Sequence, residues 1–211
     1  MAFNKKLALK LGLSKKEIFI IRRFNTPEKL QDFIVSLKAN LEKHGETLMS
    51  PRLVLQTKSC HCIEGALLSA LVFYLHGKKP LIVDMRAKRN DLDHCIAPFK
   101  VNGFWGAISK TNHAIIRYRD PVYKTLRELM MSYYHEYYII KNGEKSLRSY
   151  SAPFNLKKLK DSSWVTSSRP LWHIDKILDK QPHKLFVLNK KIKARPADKF
   201  ERKVAAKSEY C

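Results

Sequence analysis

Glycine is scarce in this chain, at seven of 211 residues, and cysteine is scarcer, at four. So little glycine excludes collagen-like and glycine-rich low-complexity architectures, and a hydrophobic share of 45% excludes a disordered chain. No apolar run approaches the ~20 residues that cross a bilayer. The basic N-terminus also lacks an apolar stretch followed by a small-residue cleavage site. A soluble, cytoplasmic protein without a transmembrane segment is the expectation. The cysteines are Cys60, Cys62, Cys95 and Cys211, a spacing unlike a stapling framework for a small secreted domain. Reduced thiols follow, which leaves one or more free for chemistry.

Acidic side chains are also few. Against 41 Lys and Arg there are 19 Asp and Glu, a formal charge of +22. Such a surface attracts polyanions through a long-range, salt-dependent field. Its distribution weakens a nucleic-acid reading, because the excess is +7 over residues 1–60, +5 over 61–141 and +10 over 142–211, with only a modest peak from Lys184 to Lys207. Nucleic acid is therefore a partner the sequence allows without favouring it.

At this length the chain is one domain with a short appendage. The expected division is residues 1–183, with a core at about 52–140, and a basic tail at 184–211. Thr26 and Pro27 open an amphipathic helix carrying Leu30, Phe33, Ile34, Leu37 and Leu41. The apolar run Glu17 to Phe24 before it fits a strand or a helix. From Cys62 to Tyr74 apolar residues recur at helical spacing, and Gly77 stands where a C-terminal cap belongs. Strands are expected at Pro80–Met85, Asp93–Lys100, Phe104–Ile108 and Ala114–Tyr118, with a hairpin at Asn102-Gly103. Asp120-Pro121 reads as the start of a further helix reaching about Ile140, whose tyrosines fit a half-buried face better than a base-stacking platform. Beyond Ser149 an irregular strap with Trp164 and Trp172 is expected over the core.

The order of elements singles out Cys62. A thiol at a helix start meets unpaired amides and the positive end of the dipole, which favour the thiolate. His94, on a strand after the helix, could take the thiol proton and return it to a leaving amine, while amides at the helix start, Cys62's among them, hold the oxyanion. Cys60 is a rival nucleophile, and Glu64 supports the helix N-terminus. His113 is a neighbour on the next strand. Cys60, His61, Cys62, His94 and Cys95 are spaced poorly for zinc, so neither metal nor cofactor is expected.

The stretches CHCIEGALLSALVFYLHGKKPLIVDM, DLDHCIAPFKVNGFWGAISKTNH and RYRDPVY, between Cys60 and about Tyr138, resemble the transglutaminase-like superfamily of papain-related cysteine proteins, including a bacterial branch with no established substrate. Cys62, Ala66, Gly77, the strand to Met85 and His94 match its pattern in order. The resemblance implies an α+β fold in which N-terminal helices and the nucleophile helix pack on an antiparallel sheet. It implies cysteine-dependent acyl transfer, by hydrolysis or transamidation, on a protein or peptide. One position departs. Four residues after Trp105 the family pattern has an aspartate that orients the imidazole, and here that count lands on Ser109. Asn112 could orient the ring instead, as asparagine does in papain-like enzymes. Asp93 points away along the strand from His94. The alternative is a catalytically degenerate module that binds an acidic protein or nucleic acid through its basic surface.

Overall fold

The computed structural model describes residues 2–43, 45–186 and 193–208. Short helices open the chain: α1 (Lys5–Lys10), α2 (Lys15–Ile21) and α3 (Pro27–Ser36). Each starts where a side chain accepts a free amide. Ser14 and Glu17 close a capping box on α2, and Thr26 caps α3 ahead of Pro27. The segment open to two readings is thus helix α2, and α3 ends before Leu41, which is exposed. Strand β1 (Lys38–Ala39), helix α4 (Pro51–Thr57) and strand β2 (Ser59–Cys60) follow, with β1 and β2 paired in parallel.

Helix α5 (Cys62–Leu75) is the centre of the molecule. Its residues are buried except Cys62 and Tyr74, as a helix apolar on every side requires. It stops in a Schellman turn: the Gly77 amide donates to the Tyr74 carbonyl at 3.1 Å and the Lys78 amide to the Phe73 carbonyl at 2.8 Å. Gly77 accepts the required φ of +80°.

The sheet is built from β3 (Leu81–Arg86), β4 (His94–Val101), β5 (Phe104–Ile108), β6 (Arg119–Tyr123), β7 (Ser149–Ser151), β8 (Phe154–Asn155) and β9 (His183–Leu185). Their spatial order is β6-β5-β4-β3-β7-β9, with β8 also on β3, and every pair is antiparallel. The β4–β5 hairpin turns at Asn102-Gly103, both at positive φ. Ile82, Cys95, Ala97, Phe99 and Ile108 share one core with α5. Val83, Met85, Ile96 and Ala107 share a second with Leu129, Met130 and Tyr133 of helix α6 (Leu126–Tyr134). The architecture is α+β, with helices on both faces of an antiparallel sheet.

Two expected elements are displaced. Ala114–Tyr118 is a loop, because Ile116 sits at φ +61°, outside the strand region. Asp120-Pro121 lies inside strand β6 rather than opening a helix, and α6 starts at Leu126 behind the cap Thr125 and ends at Tyr134. Proline is tolerated because β6 is an edge strand. Gly106 lets it approach: a Cβ there would stand 2.7 Å from the Arg119 carbonyl oxygen.

After Ser149 the chain does pack over the core, but with regular elements: β7, β8, helix α7 (Trp172–Asp179) and β9, beside a buried Trp164. The boundary expected at 183/184 falls within β9, and Phe186 is buried in the second core. The tail also holds helix α8 (Lys199–Ala205), whose Ala205 packs with Tyr138. Cys211 lies outside the described residues. Among those described, no helix is long and apolar enough to cross a membrane.

Candidate active site

Cys62 is the first residue of α5, half-buried, with His61 as the residue before the helix. Gly65 is the first amide bonded back onto the helix start, to the His61 carbonyl at 3.0 Å, so the amides of Cys62 and Ile63 ahead of it have no intrahelical acceptor. His94 is the first residue of β4 and Ser109 directly follows β5, which places both at one end of the hairpin. The Cys62 thiol shares its cavity with two imidazoles, His61 and His94, and both act on it. Burial pushes its pKa up, but the two rings, by hydrogen bonding and charge, outweigh it and bring the thiol down to about 5.

Each imidazole is anchored from behind. The His94 Nε2 lies 2.9 Å from Ser109 Oγ, and that hydroxyl donates its one proton to the Ile116 carbonyl at 2.6 Å. Toward the ring it can only accept, so Nε2 carries the hydrogen and Nδ1 is left as the basic nitrogen. Ile116 is itself held at positive φ: its amide donates to Glu136 Oε2 at 2.7 Å, and Glu136 is paired with Arg119 at 2.7 Å. Ser109 is clamped through its backbone by the buried Gln31, which accepts from its amide at 3.0 Å and donates to its carbonyl at 2.9 Å.

Behind His61 stands a carboxylate. Its Nε2 is 3.1 Å from the Thr47 carbonyl and 3.3 Å from Glu64 Oε1. Glu64 is fully buried and also accepts from the Met49 amide (2.7 Å), Thr47 Oγ1 (2.9 Å), the His61 amide (3.0 Å) and Asn40 (3.1 Å). Burial opposes ionisation, but the His61 hydrogen bond and charge and the Met49 amide hold Glu64 down at about 2. For His61 burial opposes the charged ring, and the bonds to Cys62 and Glu64 raise it to about 10.

Of the residues singled out in the sequence, Cys62, His94 and Ser109 come together. Asn112 borders the same cavity, but the ring nitrogen it was expected to orient is occupied by Ser109. Asp93 accepts from the Ala87 amide at 2.7 Å ahead of β4. His113 reaches the cavity wall and bonds the Ala205 carbonyl. Cys60 is fully buried and pushed up to about 12 by burial, so it is no competing nucleophile. Among the described residues, no three His, Cys, Asp or Glu side chains form a group that could hold a metal ion. Sequence reasoning missed Gln31, whose signal was a polar residue on the buried face of α3, and the role of His61, weighed only as a metal ligand.

Cys62, His61 and His94 open onto a cavity of about 480 Å³ with an apolar wall of Ile115, Ile116, Tyr137 and Ile140, and with Asp91 and Asp93 on its border. A larger cavity of about 870 Å³ between α2 and α3 holds neither thiol nor imidazole. A scan against protein-family models and a search of curated proteins return no match to this chain.

Proposed function

We propose that this protein is a cysteine-dependent acyl-transfer enzyme of papain- or transglutaminase-like architecture, acting on an amide or ester through Cys62 and His94. What carries the reading is one arrangement: an acidified thiol at a helix start, facing a cavity, against an imidazole whose far nitrogen is fixed by Ser109. His94 Nδ1 takes the thiol proton and later gives it to the leaving group, and the amides at the start of α5 receive the carbonyl oxygen. A protein or peptide fits as substrate, because the cavity is open and walled by apolar side chains on one side. No resident cofactor enters the scheme.

The test is capture of the acyl-enzyme. An activated ester should acylate Cys62 of the wild type, located by peptide mass mapping, with adduct that decays by hydrolysis, whereas Cys62→Ala and His94→Ala accumulate none at that site. Even labelling of all the cysteines, unchanged by His94→Ala, overturns the proposal.

A second reading is favoured by one observation. Lys78, Lys79, Lys100 and Lys158 line a cavity of about 570 Å³ beside Trp105, with no acidic residue among the described residues of its walls. A non-catalytic module would use such a surface to hold an acidic protein or nucleic acid. Retention on a polyanion column well above moderate salt, without acylation of Cys62, would favour it.

A further inference from the structure

We propose that the two imidazoles at Cys62 divide the work, with His61 a fixed cation, pinned by the buried Glu64, that keeps the sulfur anionic, and His94 the ring that moves protons. This rests on Cys62 being the acylated group.

The geometry distinguishes the rings by what stands behind each. His61 Nε2 meets the Thr47 carbonyl, which only accepts, and Glu64 Oε1. Its remaining nitrogen, Nδ1, is the one available to the thiol. An imidazole donating at both nitrogens is cationic, and that cation answers a need, because a fully buried carboxylate is costly without a counter-charge. The other donors to Glu64 are amides and a hydroxyl, all neutral. His94 is backed by a hydroxyl, which fixes the tautomer and adds no charge. The raised pKa of His61 agrees with a cation held there, while the low one of Cys62 draws on both rings.

The charged neighbours leave the assignment intact. Glu42 Oε1 lies 3.8 Å from His61 Nε2 and adds to the field of Glu64. Across the cavity, Asp91 accepts from the Leu92 amide and the Ser146 hydroxyl, Asp93 from the Ala87 amide, Lys110 donates to the Leu37 carbonyl and His113 bonds the Ala205 carbonyl.

In the cycle that follows, the sulfur starts as the thiolate beside His61, and His94 starts with a proton on Nδ1. The thiolate attacks the carbonyl carbon, the C–S bond forms and the π pair moves to oxygen. Its return breaks the C–N bond as the departing nitrogen takes the proton from His94. Water then gives a proton to His94 Nδ1, forms the C–O bond and expels the thiolate. One water is consumed, and His61 keeps its proton throughout.

Mass-mapped alkylation of Cys62 by iodoacetamide as a function of pH, on the full chain, tests this in wild type, His61→Gln and His94→Gln. The wild-type rate should rise with a midpoint near 5. His61→Gln keeps a donor and removes the charge, so alkylation at about pH 6 should fall about tenfold or more and the midpoint move toward the ordinary thiol range of about 8.5. His94→Gln should lower alkylation at about pH 6 by less than His61→Gln does, while slowing acylation by an activated ester about 100-fold through loss of the proton it gives to the leaving group. An unchanged profile in His61→Gln, or an equal shift in His94→Gln, overturns the proposal. A wild-type Cys62 that alkylates like an ordinary thiol sinks instead the enzymatic reading beneath it. Histidine-selective nitrogen NMR of the wild type needs no variant to fold: the His61 ring doubly protonated at about pH 8 supports the division, and singly protonated there overturns it.

Discussion

The molecule holds two clusters of the same three side chains, a carboxylate, an imidazole and a thiol, and they differ in order. At the cavity the imidazole stands in the middle: Glu64 is 3.3 Å from His61, and His61 in turn lowers the Cys62 thiol. At the sheet beneath α7 the carboxylate stands in the middle: His183 Nε2 is 2.9 Å from Asp84 Oδ2, and the Cys95 sulfur is 3.7 Å from Asp84 Oδ1. In the first a cation meets the sulfur and the thiol falls to about 5. In the second burial and then the charge of Asp84 push Cys95 well above its ordinary value. Composition is equal, and the sequence of charges decides which cysteine can act.

The largest expected effect is the contrast between those cysteines. At about pH 6 Cys62 is almost all thiolate and an ordinary thiol about one part in several hundred, and the lower nucleophilicity of an acidified sulfur returns part of that advantage. Cys62 should therefore alkylate about tenfold faster than an unperturbed exposed thiol, and faster again than the buried Cys95. Mass mapping after limited iodoacetamide treatment reads both, and equal labelling of the two would erase the contrast.

Next in size are the partners of the two carboxylates. His183→Leu takes the 2.9 Å partner from buried Asp84 and leaves it Arg86 at 3.7 Å, and Glu64→Gln takes the buried carboxylate from His61 and leaves it Glu42 at 3.8 Å, each costing about 2 kcal/mol near neutral pH by denaturant unfolding. Both deficits shrink toward acid, but from opposite sides. The folded pKa of Glu64 is depressed from 4.5 to about 2, so its contribution is complete above the unfolded value and disappears as the pH falls through the folded one. The folded pKa of Asp84 is raised by burial against its bond to His183, so its ionised form is the penalised one. The deficit of His183→Leu should shrink in acid as Asp84 takes up a proton, while the advantage of wild type over Glu64→Gln fades because wild type itself weakens there. Unfolding series between about pH 6 and pH 3 separate the two by which protein moves: His183→Leu should recover stability in acid, whereas in the Glu64 pair wild type should lose it, and a wild type that holds its stability while Glu64→Gln loses its own would break the comparison.

Much of this was legible from the chain. Helix α5 announced itself by its apolar run and Gly77, α3 by Thr26-Pro27, and the β4–β5 hairpin by Asn102-Gly103, because each signal is local and its partner lies within a few residues. Asp120-Pro121 misled because the same dipeptide that opens helices is also accommodated on a sheet edge, and edge position is a tertiary fact fixed here by Gly106. Cys62 and His94 could be paired by element order. His61 could not, since its role depends on Glu64 being buried under Asn40, Thr47 and Met49, a loop with no periodicity of its own. Ser109 was found by counting from Trp105, but that a hydroxyl serves there follows from the Ile116 backbone, which no pattern encodes.

The smallest expected effect concerns the imidazole that neither carboxylate holds. Ser109 must do two things at once, accept from His94 Nε2 and donate to the Ile116 carbonyl. Ser109→Ala removes both bonds and should slow acylation of Cys62 about tenfold, the equivalent of about 1.4 kcal/mol, while alkylation at about pH 6 stays near wild type. Ser109→Thr keeps the hydroxyl and should retain most of the rate. Ser109→Asp supplies the carboxylate that the resemblance leads one to expect, yet an ionised carboxylate has no proton for Ile116 and would set two acceptors against each other at a buried position. It should therefore be less active than Ser109→Thr, as measured by acyl-enzyme formation. An aspartate variant faster than wild type would mean that the ring wants a charge behind it after all, and that the two histidines of the site are less different than their anchors.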